Sequence, residues 1–518
     1  MAKKQEIANV GELRKSGLVK LKGKDTYSMW IKTGCCNLTS KQLRKLADIT
    51  ERYARGYLLF TARQIPIIPF VNLKDIEEVK GELNEVYLEL DRCGPTVRNV
   101  NVCYDEKICS EAVTNSVSLA EKLDNFFRVP MTHKVKIGVA GCRKDCIISR
   151  VLTDIGFIGV AKDGKGEYYD AYIGGRLGLN PFVGVKMAEY LAEERCVKFV
   201  QNYFDFLTRE GRQGERGADL IARLGVDRVQ RELTKGTTGK AELEPIECET
   251  RLARDEADKL ILRIRATCGE VNAQQLRKIA DIAERYGKGF VHFAVRGAPE
   301  IPCITKEDLG GINKELQEVN MQMLDKGIEN LQSCFGSYCT ESNMDPQSLL
   351  RKVEERIKEL DLKILGIKIS GSGCPNSCGI AHLNDIGFMG IVEPEVNIAN
   401  CNGCELCLPV CKRKAIEIKD GIAVIDKGKC KYCGQCIAVC PFDAIMVKRR
   451  GFAMLVGGSE GEDTRLGQAV AEFLSEEEAL QLTERCLRIV KEKNSGVAAI
   501  IDEVGIGKFK QMLVSDLK

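Results

Sequence analysis

Residues 42–57 read QLRKLADITERYARGY, and residues 275–290, which lie 233 positions further on, read QLRKIADIAERYGKGF. In both segments apolar residues recur every three or four positions, which is the spacing of one face of an α-helix. A Thr stands three residues before the opening Gln of the first segment, and an Asn stands at the same place before the second, so each can cap a helix. We therefore predict one helix per segment, with its apolar face turned toward a core.

The similarity between the two copies extends well beyond these helices. In each copy a glycine follows the helix, and after it comes a short apolar strand that ends next to an arginine. Cys142 and Cys374 are 232 positions apart, and the segments DIGFIGV (154–160) and DIGFMGI (385–391) are 231 positions apart. The chain is therefore predicted to be a tandem duplication.

The composition excludes several classes of function. The 518 residues include 77 Lys and Arg against 74 Asp and Glu, and the formal net charge of +3 gives no bulk attraction to nucleic acid or to acidic membranes. The sequence contains no apolar run of about 18 residues, and its opening MAKKQEIANV lacks a secretory apolar core. We expect a cytoplasmic protein of three or four domains without a membrane span.

Cysteine is far more frequent than a cytosolic fold requires, with 24 Cys against 3 His. Eight of them form two copies of C-x2-C-x2-C-x3-C, the pattern of bacterial two-cluster ferredoxins, in which the last cysteine of each run binds the other cluster. The assignment is therefore Cys401, Cys404, Cys407 and Cys440 to one 4Fe-4S cluster, and Cys430, Cys433, Cys436 and Cys411 to the other. Zinc sites are the weaker alternative, because this register includes no histidine.

Two looser sets of cysteines remain, one in each copy. The first consists of Cys103 and Cys109 with Cys142 and Cys146, and the second consists of Cys334 and Cys339 with Cys374 and Cys378. Each set has two close pairs separated by about 30 to 40 residues, which suits a zinc ion or a single 4Fe-4S cluster equally well. Spacing alone leaves this choice open.

The ferredoxin-like cysteines lie in an insertion, residues 396–448, within the second copy. It separates DIGFMGI from the glycine-rich MLVGGSEG (454–461), which parallels YIGGRLG (172–178) of the first copy. Residues 231–250 lack periodicity and read as a connector, with the boundary between the copies near residue 245. The predicted domains are a first half-domain (20–85), a first cofactor domain (86–240), a second half-domain (256–320), a second cofactor domain (321–395 and 449–518) and the inserted domain (396–448).

These motifs resemble those of the sirohaem-dependent sulfite and nitrite reductases. The resemblance covers almost the whole chain and depends most on TARQ (61–64), VRNVNVC (97–103), KVK (134–136) and GSGCPNSCGIAHLNDIGFMG (371–390). The insertion makes the chain most similar to the dissimilatory and anaerobic sulfite reductases. The resemblance implies an α/β (α+β) fold, a pseudo-two-fold repeat of ferredoxin-like half-domains and sirohaem/4Fe-4S domains, with an inserted bacterial-type ferredoxin domain.

The resemblance also implies one composite reaction centre. In the family, basic residues of one half surround the anion on sirohaem iron, and cysteines of the other half hold the adjacent cluster. Here these residues would be Arg63, Arg98, Lys134 and Lys136, with Cys334, Cys339, Cys374 and Cys378. Cys378 would bridge the cluster and the sirohaem iron. An oxyanion that loses oxygen as water needs both cations and a proton supply, which arginine and desolvated lysine can provide.

A second, pseudo-symmetric centre is expected to be catalytically silent. It would combine Cys103, Cys109, Cys142 and Cys146 with Arg296 and Lys368 as cofactor-binding residues. However, Glu329 stands where Arg98 is expected, and Gly366 stands where Lys134 is expected. A carboxylate facing a bound anion costs a few kcal/mol in a low-dielectric pocket. A cluster beside Cys146, and even a tetrapyrrole, would then have a structural role.

The leading hypothesis is an anaerobic sulfite reductase, an oxidoreductase that converts sulfite to sulfide with six electrons relayed through the ferredoxin-type clusters. A nitrite reductase forming ammonia, and a non-catalytic iron-sulfur electron-transfer protein, are the alternatives. We find no G-x-G-x-x-G unit, so electrons would come from an external ferredoxin or a partner reductase subunit. Nucleic acid and membrane partners are not expected, and association into a homo-oligomer is compatible with this interpretation.

Overall fold

The structure is a computed structural model that describes residues 12–23, 25–127, 131–162, 165–237, 259–324, 327–360 and 366–514. The predicted boundary near residue 245 and the opening ten residues lie outside these ranges. The described residues form two compact units. The first lies within Met1–Arg176, Pro181–Leu324 and Glu460–Thr464, and the second lies within Leu177–Asn180, Asp325–Ser459 and Arg465–Lys518.

Helices and strands alternate along the chain, in agreement with the predicted α/β class. The helices are α1 (Ser40–Tyr53), α2 (Ile76–Asn84), α3 (Ser116–Phe126), α4 (Ser149–Leu152), α5 (Glu193–Glu210), α6 (Gly217–Leu224), α7 (Val226–Leu233), α8 (Ala273–Tyr286), α9 (Leu309–Gln317), α10 (Pro346–Leu360), α11 (Gln435–Val439), α12 (Glu476–Lys493), α13 (Val497–Val504) and α14 (Ile506–Val514). Among the described helices, none has both the length and the apolar content needed to cross a bilayer.

The strands of the first unit are β1 (Leu18–Lys20), β2 (Thr26–Trp30), β3 (Asn37–Thr39), β4 (Tyr57–Phe60), β5 (Pro66–Asn72), β6 (Asn101–Val102), β7 (Ile137–Ala140), β8 (Ile155–Lys162), β9 (Lys165–Ile173), β10 (Val185–Leu191), β11 (Leu260–Arg263), β12 (Glu270–Asn272), β13 (Phe290–Phe293) and β14 (Pro299–Ile304). Those of the second unit are β15 (Gln332–Ser333), β16 (Ile369–Ser372), β17 (Ile386–Val396), β18 (Ile416–Lys419), β19 (Ile422–Ile425), β20 (Ile445–Val456) and β21 (Gln468–Leu474).

The repeated sequence segment forms α1 and α8, so the predicted helices are confirmed. At the start of α1 the Gln42 amide N–H donates to Thr39 Oγ1 at 3.3 Å, and the Thr39 N–H donates to the Gln42 side chain at 2.9 Å. Asn272 and Gln275 make the same reciprocal pair at α8, at 2.9 and 3.0 Å. Each capping box satisfies two backbone donors that would otherwise have no partner inside the helix.

Each copy contributes one strand to the sheet of the other copy. Strand β3 pairs antiparallel with β13, and β12 pairs antiparallel with β4, which gives sheet orders β1-β2-β5-β4-β12 and β11-β14-β13-β3. Phe60 and Phe293, which are equivalent residues of the two copies, stack with ring centroids 3.9 Å apart. Buried residues of both copies form one core. The half-domains predicted over 20–85 and 256–320 are therefore interleaved rather than separate.

Helices α1 and α8 are joined on the surface by two equivalent ion pairs, one in each direction. Arg44 Nη2 lies 2.8 Å from Asp281 Oδ1, and Arg277 Nη2 lies 2.7 Å from Asp48 Oδ1. All four side chains keep a third or more of their surface exposed, so each pair contributes only about 0.2–1 kcal/mol. The buried core, rather than these ion pairs, supplies most of the stability of the interleaved layer.

Two further sheets have the same strand order in the two copies. In the first unit the order is β10-β9-β8-β7-β6, and in the second it is β21-β20-β17-β16-β15. In both sheets the last three strands are parallel and the others are antiparallel. Cysteines follow the carboxyl ends of the parallel strands, and because parallel strands end at the same edge, the paired cysteine segments of each copy meet there.

The insertion extends from a long antiparallel ladder in the second unit. The pairing of β17 with β20 runs from Ile386 opposite Val456 to Val396 opposite Ile445, and the inserted residues follow the end of this ladder. Within the insertion, the hairpin β18–β19 and the short helix α11 surround a small core that includes Cys407. The ladder therefore connects the inserted segment to the sheet that carries the second set of cysteines.

Candidate active site

Two groups of predicted site residues lie at opposite ends of the parallel strands in the first unit. Lys134 and Lys136 immediately precede β7, and Arg98 lies beside them because its amide N–H donates to Val135 O at 3.1 Å. Cys142 follows the carboxyl end of β7. At about 3.3 Å per residue, Lys136 and Cys142 are about 20 Å apart. The cations and the cysteines of the first copy therefore lie at opposite ends of this strand.

Four basic residues, which we call the cation cage, are brought together in the first unit. They are Arg63, Arg98, Lys134 and Lys136. Arg98 is only 5% exposed. Its Nη1 donates to Arg92 O at 2.6 Å and its Nη2 to Gly94 O at 3.5 Å, whereas its buried Nε has no partner among the described residues. Burial and the nearby Arg63 lower the pKa of this guanidinium, so the cage concentrates positive charge away from water.

Arg63 is positioned by the residue that follows it in TARQ. Gln64 adopts a left-handed conformation (φ 55°), and its Nε2 donates to Val102 O at 2.9 Å and to Phe293 O at 2.8 Å. The Gln64 side-chain amide therefore connects the turn that carries Arg63 to the backbone of both copies. The Arg63 guanidinium lies 4.4 Å from the centre of the Trp30 ring, and its buried Nη1 has no hydrogen-bond partner in the part of the chain that the structure describes. A fixed arginine with an unused donor suits an anionic ligand.

The lysines of the cage differ from ordinary surface lysines. Burial lowers the pKa of Lys134 far below its usual value, and Lys136 and the cage arginines lower it further, as does Arg216. Asp154 orders this region, because its carboxylate accepts from the Lys136 backbone N–H at 2.9 Å and from Arg216 Nε at 2.7 Å. Lys134 can therefore release a proton readily. Arg216 was missed from sequence, where no motif marks it.

Two further residues of the cage region were also missed from sequence. Asp91 is 3% exposed, and burial raises its pKa although Arg63 and Arg98 oppose that change. Burial alone would raise the pKa of the half-buried Cys93 thiol, but Arg63, Arg98 and Lys134 together lower it. Neither residue belongs to a recognised ligand spacing. Both lie a few residues before Arg98 in the sequence.

The first unit also assembles the four cysteines of the first copy. These are Cys103, Cys109, Cys142 and Cys146. The Gly141 N–H donates to Cys103 Sγ at 2.9 Å. Burial raises the pKa of Cys103 well above its usual value against this hydrogen bond, and the three other thiols raise it further, which shows that they are neighbours. A bound cation or cluster would reverse this effect and hold the thiolates.

Beside these cysteines lie charged residues of the second copy. Arg296 Nη2 lies 2.9 Å from Glu460 Oε2, and both side chains are largely buried. The pKa of Cys146 is raised to about 12, first by burial, then by a neighbouring thiol and by the carboxylates of Glu460 and Glu300. In the first copy, Leu177 stands at the position of Glu460 in the glycine-rich segment. The arginine of this centre is thus paired with a carboxylate of the chain itself.

In the second unit the equivalent cysteines lie together in the same kind of segment. These are Cys334, Cys339, Cys374 and Cys378. The N–H groups of Gly336 and Gly373 donate to Cys334 Sγ at 3.4 and 3.2 Å. At the opposite end of the strands, the Lys368 N–H donates to Asp385 Oδ2 at 3.0 Å, and the Glu329 N–H donates to the Ile367 carbonyl at 2.9 Å. Cysteines and cations are therefore separated here as in the first copy. Gly366 also lies at this end.

The eight cysteines of the insertion form two groups of four. In each group one cysteine is the last member of the other C-x2-C-x2-C-x3-C run. One cavity is lined by Cys401, Cys404, Cys407 and Cys440, and another by Cys411, Cys430, Cys433 and Cys436. The pKa of the Cys436 thiol is raised to about 12, first by burial and then by Cys433, Cys430 and Cys411. Within the described ranges no group of three His, Cys, Asp or Glu side chains is close enough to hold a single metal ion. A four-iron cubane spreads its four thiolates over different iron atoms and does not need such close contact.

Two of the three histidines, His133 and His292, make buried polar contacts near the cage. His133 is buried between Thr132 Oγ1 at 2.8 Å and Arg212 O at 2.9 Å. His292 is buried beside Gln64, and burial lowers its pKa to about 3. Both side chains are therefore held by polar contacts with residues other than the four cage cations.

Family models match most of the chain. The model described as nitrite and sulphite reductase 4Fe-4S domain matches residues 93–240 and 325–518, and the nitrite/sulfite reductase ferredoxin-like half domain matches residues 19–86 and 253–319. Together they cover both copies of the duplication.

Individual relatives are more distant. The coenzyme F420-dependent sulfite reductase of Methanocaldococcus jannaschii is 31% identical over 257 residues, which are 48% of this chain and 41% of that protein, so the match spans less than half of that relative. One subunit of the anaerobic sulfite reductase of Salmonella typhimurium is 27% identical over 51% of this chain and 86% of that protein. The chloroplastic ferredoxin–nitrite reductase of Betula pendula is 25% identical over 71% of this chain and 68% of that protein.

A solved structure agrees with the fold. The NirA protein of Mycobacterium tuberculosis superposes with a TM-score of 0.73 over 97% of this chain and 90% of that chain, at 18% sequence identity. This likeness concerns the fold alone, and it confirms the tandem half-unit architecture. The family models, the duplicated cysteine segments and the shared fold agree, and the chain belongs to the nitrite and sulfite reductase family of oxidoreductases.

Proposed function

We propose that the chain is a sulfite reductase that uses sirohaem and 4Fe-4S clusters to convert sulfite to sulfide. The observation that carries the proposal is the cation cage, in which Arg63 Nη1 and Arg98 Nε are buried without partners among the described residues. Buried donors without partners are costly, and an anion that accepts from them removes that cost. A protein that only conducted electrons would have no use for such a cage.

The overall reaction determines what the residues must do. Sulfite, six electrons and seven protons give hydrosulfide and three waters, so each departing oxygen needs protons as well as electrons. Sirohaem, when bound, supplies an iron that binds the anion and delivers electrons to it. Arg63 and Arg98 would orient the oxyanion and balance its charge, because guanidinium groups offer paired donors to oxyanions. Lys134 would donate a proton at its Nζ atom, since its pKa is already lowered.

The cysteine groups fit the electron supply that this reaction needs. In the second unit, the Tyr432 carbonyl accepts from the Val392 N–H at 2.9 Å and from Asn343 Nδ2 at 3.4 Å. Gln435 also contacts Glu341. The segment that carries Cys430 to Cys436 therefore packs against the segment that follows Cys339. These contacts support a relay from the insertion to the cluster held by the second copy's cysteines.

The composite arrangement of the reaction centre stays a prediction. It receives support inside the first unit, where the cysteines of one copy lie beside Arg296 of the other copy. By the same arrangement, we propose that the cation cage of the first copy belongs to the centre whose cluster is held by cysteines of the second copy. These are Cys334, Cys339, Cys374 and Cys378. The second centre is proposed to be silent, and the pairing of Arg296 with Glu460 strengthens the argument made from Glu329.

Nitrite reduction to ammonia is the second candidate. The nitrite reductase relative matches 71% of this chain, against 48% and 51% for the two sulfite reductase relatives. Nitrite is also a small oxyanion, so the same cations can bind it. We prefer sulfite because the inserted cysteine pattern resembles that of the dissimilatory and anaerobic sulfite reductases.

Two measurements test the proposal. Anaerobically purified protein should show tetrapyrrole absorption bands in addition to the broad iron-sulfur absorption. Steady-state turnover with a reduced viologen should then be faster with sulfite than with nitrite at equal concentration. Faster turnover with nitrite would replace the proposal with the second candidate. Iron-sulfur absorption without tetrapyrrole bands would contradict both and favour an electron-transfer protein.

A further inference from the structure

We propose that Asp91 is a buried proton relay that supplies the cation cage from solvent. The proposal deepens the function proposed above and rests on it, because the reduction of either oxyanion consumes several protons. Lys134 can give one proton from its Nζ atom, and it must then be recharged or assisted by another donor. Two buried carboxyl groups lie near the cage, and both oxygens of Asp154 already accept hydrogen bonds, whereas Asp91 keeps one oxygen without a partner among the described residues.

The position of Asp91 is fixed by backbone contacts. Its amide N–H donates to Trp30 O at 2.7 Å, and the Trp30 ring lies under the Arg63 guanidinium at 4.4 Å. Asp91 Oδ1 accepts from the Asn99 N–H at 3.2 Å, which places the carboxyl group next to the start of the segment that carries Arg98. Its other oxygen, Oδ2, is buried and has no hydrogen-bond partner within the described ranges. A carboxyl oxygen in this state is free to carry a proton.

A polar cavity connects Asp91 with the surface. Asp91 and Arg98 line this cavity together with Lys32, Glu89 and Asp124. Lys32 Nζ lies 2.8 Å from Asp124 Oδ2 and 3.9 Å from Glu89 Oε1. The Glu89 side chain is 59% exposed, whereas Lys32 and Asp124 are 14% and 20% exposed. Titratable groups thus continue from solvent to the buried carboxyl group.

The duplication provides an internal comparison. Leu324 occupies the equivalent position in the second copy, where its N–H donates to Arg263 O at 2.8 Å just as the Asp91 N–H donates to Trp30 O. This backbone hydrogen bond therefore occurs in both copies, and the carboxyl group is not needed to form it. It occurs only in the copy that carries the cation cage, whereas the copy proposed to be silent has an apolar side chain at that place.

The proton transfer is written as follows. The O–H bond of the Asp91 carboxylic acid breaks, and the proton passes to an oxygen of the anion held by Arg63 and Arg98. The carboxylate then takes a proton from solvent through the cavity, and all electrons come from the clusters. Burial favours the neutral acid and raises the pKa of Asp91, while the two arginines oppose this. The other charged or titratable groups that face this region are Arg92, Cys93, Lys32, Glu89 and Asp124.

The test uses the holoenzyme with a reduced viologen and each oxyanion in turn. Asp91→Asn keeps an oxygen for the Asn99 N–H and removes only the acid, and Asp91→Glu keeps the acid. Asp170→Asn is the matched control, because Asp170 is also buried in the first unit but pairs with Lys186, away from the cage. We expect Asp91→Asn to lower kcat about 100-fold, as loss of a general acid does, with a changed pH profile, while KM changes little. Asp91→Glu should recover part of the rate.

Infrared difference spectroscopy supplies a readout that does not depend on turnover. The wild type should show a carboxylic-acid carbonyl band that responds to pH and to D2O, and Asp91→Asn should lack it while Asp170→Asn retains it. If wild-type protein reduces neither oxyanion, the proposed function fails, and the infrared band alone then decides whether Asp91 is a solvent-linked acid. If wild type is active but Asp91→Asn matches Asp170→Asn in kcat and pH profile, the relay is wrong. An absent wild-type band also overturns it.

Discussion

Replacing Arg98 of the cation cage and Arg296, which is the second copy's counterpart of Arg63, should separate catalysis from stability. Arg98→Ala removes buried guanidinium donors from the proposed anion site. Removing one such donor from an oxyanion site typically costs about 2.7–4 kcal/mol, which is about 100- to 1,000-fold in rate. Arg296→Ala should leave turnover within about twofold, because Arg296 is already paired with Glu460 at 2.9 Å in the centre proposed to be silent. The measurement is kcat/KM for sulfite with a reduced viologen donor.

The order of the two variants should be reversed for stability. Arg296→Ala should destabilise the fold more than Arg98→Ala does. Arg98→Ala loses two hydrogen bonds to carbonyls, which are worth about 1 kcal/mol each. It also removes a buried charge beside Arg63, which offsets part of that loss. The free energy of unfolding should therefore fall by about 1 kcal/mol or less. Arg296→Ala removes a partner from the carboxylate of Glu460. Breaking a fully buried pair costs about 3–5 kcal/mol, and the 10% and 14% exposure of these side chains reduces our expectation to about 2 kcal/mol.

Urea unfolding midpoints under anaerobic conditions measure this difference. The double variant Arg296→Ala/Glu460→Gln is the control, because it removes both charges and should recover most of the lost stability. Equal losses of turnover in Arg98→Ala and Arg296→Ala would show that both centres work. If Arg98→Ala retains more than a tenth of the wild-type kcat/KM, the cation cage is not the anion site.

Three other predictions concern different parts of the molecule. Cys440→Ser and Cys411→Ser should each remove one of the two insertion clusters, which EPR of the reduced protein and iron analysis, with a loss of about four irons per chain, would show. Gln64→Ala should lower the free energy of unfolding by about 2–4 kcal/mol in urea titrations, because several buried backbone groups lose their partner, and it should slow turnover by loosening Arg63. The pKa of Lys134 is lowered in the folded state, so between that lowered pKa and the pKa of about 10.4 in the unfolded chain the unfolded state binds more protons. Stability without added anion should therefore rise with pH up to that value, and in Lys134→Met this rise should be smaller by up to about 1.4 kcal/mol per pH unit.

The features that sequence predicted correctly depend on local spacing. The capping pairs fixed the starts of α1 and α8, because a cap acts within one helical turn. The assignment of Cys411 and Cys440 to the cluster of the other run stays a prediction from the ferredoxin pattern. In the caps the interacting residues are three positions apart, so geometry over one helical turn was sufficient.

The features that were missed depend on tertiary contacts. Strands β3 and β12 have three residues each, which is too short to show periodicity, and nothing in their sequence states that each pairs with the other copy. Glu460 lies in a glycine-rich loop whose partner Arg296 is 164 positions away. Asp91 could have been found by asking where the two copies differ in charge at equivalent positions, since Leu324 stands at the matching place in the second copy.

The exchanged strands make the fused chain an intramolecular dimer. A half-length polypeptide would expose unpaired strand edges at β4 and β13, so it could not bury its core without a second chain. Joining the halves replaces a concentration-dependent association with a first-order step and guarantees one partner of each kind. Because each copy always pairs with the other copy, the two sequences can diverge without forming dimers of identical halves. Proteolytic cleavage between the copies should leave a non-covalent complex that copurifies under native conditions.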